Sequence, residues 1–61
     1  MTVAEVIKAL VDHATLKNPE ILNTEIDMIK ILPDYEHSEC IQIEFTNSAD
    51  DLIINKNGVL Y

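Results

Sequence analysis

A chain of 61 residues is one domain at most, and at this size the apolar area buried on folding and the entropy lost on ordering nearly cancel. Eleven acidic residues stand against four lysines and no arginine, a net charge of −7, which repels polyanions and argues against direct nucleic-acid binding and against attachment to an anionic membrane. The single cysteine, Cys40, excludes an internal disulfide; no apolar run approaches the ~20 residues of a membrane span, and one thiol without a targeting segment fits a cytoplasmic protein.

The chain opens on a helix signal. Thr2 and Glu5 form a T-x-x-E capping box. Behind it Val3, Val6, Ile7, Leu10, Val11 and Ala14 recur at helical spacing, with Glu5, Lys8 and Asp12 off that stripe. A helix is expected over residues 3–15, with Lys17 near the negative end of its dipole and Pro19 ending it. Residues 19–29 carry two signals. Asn18-Pro19-Glu20 has the form of an N-cap, a first-turn proline and a first-turn acid, which starts a second helix. Ile26, Met28, Ile29 and Ile31 are β-formers that run up to Pro33. A short turn over 19–23 followed by a strand over 25–32 accommodates both. Alternation slips within that strand, as a β-bulge or burial on both faces would require.

Residues 33–39 form a polar, acidic loop. Cys40 to Phe45 alternates, with Ile41, Ile43 and Phe45 on one face and Cys40, Gln42 and Glu44 on the other, the pattern of a half-buried strand. Residues 47–51 form a turn and Leu52-Ile53-Ile54 a further strand. Asn57-Gly58 is the strongest hairpin signal, a type I′ turn with positive φ at both central residues, and Val59-Leu60-Tyr61 closes the hairpin. The expected fold is α+β: one domain, residues 1–61, with an N-terminal amphipathic helix packed on an antiparallel β-meander of three to four strands.

The opening Met1-Thr2-Val3-Ala4-Glu5-Val6-Ile7-Lys8-Ala9-Leu10, followed by a strand-rich half ending in Asn57-Gly58-Val59-Leu60-Tyr61, resembles short phage and prophage accessory proteins. These begin with a capped helix of this form and continue into a small sheet. The resemblance covers most of the chain in layout and about ten residues in motif. It implies a small accessory protein that modulates a host protein, and it carries over no site residues.

Few constellations could support chemistry. His37-x-x-Cys40, with Glu36 and Glu39 beside it, has some metal-ligating groups, but the only other histidine, His13, is on the helix, and zinc sites need four ligands at recognisable spacing. A Cys40/His37 or Cys40/His13 nucleophilic pair would need a lowered thiol pKa, and the neighbouring acids act the other way. Asp50-Asp51 suits turn geometry. With Gly58 the only glycine, no phosphate loop exists. No cofactor, metal or catalytic residue is therefore expected.

Two surfaces remain. One helix covers one sheet face, yet Ile29, Ile31, Ile53 and Leu60 do not share one parity, so some are expected on the second face as an interface. With the marginal folding balance, this predicts a homo-oligomer, most simply a dimer. The second surface is acidic. Asp34, Glu36 and Glu39 crowd around Tyr35, an aromatic of the type enriched at interface centres. These four residues are the expected contact for a basic protein partner, in a protein that works by binding and not by catalysis. The alternative is a structural component whose function is its own oligomerisation.

Overall fold

A computed structural model describes residues 1–60; Tyr61, expected to end the last strand, lies outside the described residues. Helix α1 spans Val3–Leu16. Its start is the capping box read from the sequence. The Glu5 N–H donates to Thr2 Oγ1 (3.1 Å), and the Thr2 N–H donates to Glu5 Oε1 (2.7 Å). That backbone donor holds the Glu5 carboxyl below its ordinary pKa range. A carboxylate with a depressed folded-state pKa stabilises the fold above its unfolded value, and the contribution disappears as pH falls through the folded one. Thr2→Ala is expected to cost about 1 kcal/mol, read as a lowered urea midpoint at neutral pH; an unchanged midpoint would show that the cap is not formed in solution.

The helix ends where the N–H groups of Lys17 and Asn18 both donate to the His13 carbonyl (3.0 Å each). The ambiguous stretch resolves as a single 3-10 turn, Pro19–Asn23. Asn18 caps it, its side chain accepting the Glu20 N–H (3.2 Å), with proline in the first turn. The start signals are those of a helix, but the chain leaves after five residues to enter the sheet.

Four strands follow: β1 Ile26–Tyr35, β2 Ser38–Phe45, β3 Leu52–Asn55 and β4 Gly58–Val59. They pair antiparallel in chain order, β1-β2-β3-β4, so the fold is an α+β meander with one helix, as expected. The slip in β1 is a bulge. Register shifts between Ile26 and Met28, and again between Leu32 and Tyr35, each leave one extra residue on β1. The first bulge returns Ile26, which pairs with Phe45, to the same face as Ile29 and Ile31.

Two expectations are corrected. The acidic loop over 33–39 is not a loop. Both strands continue through it, leaving only Glu36-His37 as the connection. Pro33 was expected to end the strand, but β1 is an edge strand and bulges at that point, where a missing N–H is tolerated. The type I′ turn is also not at Asn57-Gly58. Asn55 pairs with Gly58, the connection is Lys56-Asn57, and of Asn57 and Gly58 only Gly58 has positive φ (122°). The Asn55 side chain closes this turn by accepting the Asn57 N–H (2.8 Å).

The core forms where α1 meets the sheet. Ala9, Ile43, Phe45, Leu52 and Ile54 are buried together, with Leu10, Ile21, Ile41 and Val59 packed around them. The α1 backbone approaches β3, β4 and the 3-10 turn and stands off β1 and β2. Small Ala9 at the contact permits that approach. The apolar stripe of α1 is wider than the sheet it covers. Val3, Ile7 and Val11 remain exposed.

Candidate functional site

The four residues singled out as a partner contact, Asp34, Tyr35, Glu36 and Glu39, lie together around the tip of the β1–β2 hairpin. The Tyr35–Ser38 pair closes a two-residue connection in which Glu36 (φ 49°) and His37 (φ 70°) both occupy the left-handed region. Two central residues with positive φ make the type I′ geometry that matches the right-handed twist of the flanking strands. Glycine and asparagine adopt it cheaply; other L-residues do so at roughly 1–2 kcal/mol each. His37→Gly is therefore expected to raise stability by up to about 1 kcal/mol, measured by chemical denaturation. A destabilised variant would mean that the His37 side chain holds the tip together.

The tip extends past Ile41–Ile54, the last β2–β3 pair on that side. Asp34, Glu36 and Glu39 are exposed and Tyr35 is half-buried. Glu39 is already engaged: its Oε1 accepts a hydrogen bond from the Met1 amino group at 2.8 Å. That hydrogen bond, reinforced by the carboxylate's charge, raises the pKa of the amine. A surface hollow of about 350 Å³ beside it is lined by Met1, Glu5, His37, Ser38, Glu39 and Lys56.

Cys40 sits at the base of the tip and is fully buried. Its Sγ faces the carbonyls of Tyr35 (3.8 Å) and Ser38 (3.7 Å). A thiol so enclosed has no open path to a substrate in solution. Among the described residues no group of three or more His, Cys, Asp or Glu side chains is placed to hold a metal ion, and no helix is long and apolar enough to cross a membrane.

Known proteins offer no guide. The chain matches no family model, no curated protein and no solved structure.

Positive charge does little to offset the acids. Lys8 pairs with Asp12 (2.6 Å) one helical turn away, and Lys30 with Glu44 (3.1 Å) across β1 and β2. The Lys30–Glu44 pair and Gln42 donating to Asp51 (2.6 Å) put polar groups on the sheet face away from the helix, beside the exposed Met28 that pairs with Glu44. Of the four apolar residues expected to divide between the faces, Ile53 lies on that outer face opposite Gln42. Ile29 and Ile31 do not. They pair with Ile43 and Ile41, on the helix side, and are exposed because the helix lies over the other half of the sheet.

A second surface, not anticipated in this position, results. It is a step: a strip of sheet formed by β1 and the near side of β2, bounded by the flank of α1. The opposite helix flank, carrying Asp12, Leu16 and Lys17, lies beside Asn57 and Gly58. The row Val3, Ile7 and Val11 is therefore on the β1 side, where Leu10 lines a hollow with Ile21, Leu22 and Ile26. The signal for it was in the sequence: an apolar stripe of six residues occupies more of the helix circumference than one small sheet can cover.

Proposed function

We propose that this protein is a non-enzymatic interaction module that binds a basic partner protein through the β1–β2 hairpin tip. The observation that carries this reading is the tip itself. Two residues with full side chains, Glu36 and His37, occupy left-handed positions that glycine would fill at lower conformational cost. Backbone strain of this kind is held in place by the surrounding ladder, and it clusters at functional sites. Around them Asp34 and Glu39 supply negative charge and Tyr35 an aromatic body, the combination that steers a basic partner and then anchors it. A phage or mobile-element accessory factor that modulates a host protein is the biological role most in keeping with a module of this size and charge.

The test is capture from cell lysate by immobilised wild-type protein and by the triple variant Asp34→Lys, Glu36→Lys, Glu39→Lys. The wild type should retain a specific protein that is released by salt, and the triple variant should not. With that protein purified, charge reversal should slow association and flatten its salt dependence, while Tyr35→Ala should speed dissociation. Equal capture by both forms would place the contact elsewhere. A second reading, an assembly component acting through its own oligomerisation, is favoured by the uncovered step beside α1.

A further inference from the structure

The geometry points to a second copy of this chain as the occupant of the step between α1 and β1, in a two-fold dimer that sets the bare strips of the two sheets against each other. This does not rest on the hairpin tip, which lies beyond the strip. Val3, Ile7, Val11, Ile26, Ile29 and Ile31 are each between 48% and 75% exposed. Together they present roughly 600 Å² of apolar side chain, at the upper limit for a monomer's largest patch and close to the ~800 Å² each partner buries in a standard interface. The chain's accessible surface, 4419 Å², exceeds the roughly 4,000 Å² of a compact monomer of this mass.

Area favours a second copy. Each copy carries a bare strip and an uncovered apolar helix row of its own. A two-fold axis along the step sets strip against strip with the Val3-Ile7-Val11 rows flanking them, so both are covered at once, while the far face of α1 with its Lys8–Asp12 ion pair stays in solvent. Counted on both copies the contact reaches roughly 1,200 Å², the lower end of a standard interface. Such an isologous contact closes on itself and leaves no repeating surface.

Charge gives the dimer a signature. Each copy carries −7, so the copies repel at long range and salt should strengthen the dimer by screening that repulsion. A basic partner in the strip would show the reverse dependence.

Sedimentation equilibrium from about 1 µM to about 100 µM decides the matter, on the wild type and three variants. Wild type should reach twice the 6.9 kDa chain mass, with a dissociation constant that falls between about 0.05 M and about 0.5 M salt. Ile7→Lys and Ile31→Lys change side chains already 57% and 61% exposed, so the monomer fold should survive, verified by circular dichroism, while dimerisation weakens by at least about tenfold. Leu16→Lys, on the opposite flank and 80% exposed, should dimerise as wild type does. A wild type that stays monomeric throughout overturns the proposal, as does a dimer that survives in whichever of the two strip variants remains folded, or one weakened by added salt.

Discussion

Replacing Ile54 with alanine is expected to abolish the cooperative unfolding transition at room temperature. Ile54 is fully buried, on the short strand β3 between β2 and β4, where it pairs with Ile41 on one side and Val59 on the other. Truncating an isoleucine in such a site removes its transfer free energy and leaves a cavity, a combined cost of about 2–5 kcal/mol. A domain of this length has roughly 3–9 kcal/mol of total stability, so one deletion consumes most or all of it. Leu16→Ala, by contrast, changes an exposed side chain and should alter stability by less than about 0.5 kcal/mol. Urea titrations followed by circular dichroism compare the two. An Ile54→Ala protein within about 1 kcal/mol of wild type would mean that the strands around it collapse to fill the gap, and that the core is not the rigid unit described above.

Gly58→Val is expected to destabilise by about 1–3 kcal/mol through the backbone alone. At φ 122° Gly58 occupies a region that L-residues rarely enter, and a β-branched side chain is the least able to follow. Space is not the issue: a Cβ built at Gly58 meets nothing within 4 Å. The consequence extends beyond the turn. Gly58 begins β4, and Val59 packs against the core under α1, so a rearranged turn also loosens the strand that helps hold the helix. Gly58→Ala should show a smaller loss of the same sign. If valine were neutral in thermal and urea melts, the turn must take another form in solution.

The two turns show what local sequence can and cannot specify. Asn57-Gly58 was read as a type I′ turn because that dipeptide adopts positive φ readily. Dipeptide preference does not determine which residues sit at the centre. Register does, and shifting the turn by one residue would have moved Val59 off the core face. At the other hairpin the type I′ geometry carries only a weak signal, since Glu36 does not favour positive φ and His37 does so only modestly. There the long β1–β2 ladder imposes the turn on the residues available. The helix boundary, by contrast, was legible within one residue because its determinants, Thr2 and Glu5, are local. The β2 strand was legible because alternation over Ile41, Ile43 and Phe45 needs no knowledge of partners.

The candidate site followed the same division. Asp34, Tyr35, Glu36 and Glu39 were singled out from composition alone, because a concentration of acids around an aromatic needs no tertiary information, and they lie together at the hairpin tip. The step beside α1 was not located, although the surplus of apolar residues was counted. Where the surplus emerges depends on where the helix comes to rest across the sheet, and that is decided by its packing against β3, β4 and the 3-10 turn.

The contact between α1 and β4 joins the first element of the chain to the last. Neighbouring strands pair close in sequence, and hairpins of this kind zip in microseconds. The helix can settle early on the 3-10 turn, but its footing on β3 and β4 forms only once those strands are in place. The slowest step of folding is therefore expected to be the closure of this longest loop, with the local hairpins already formed when the helix comes down.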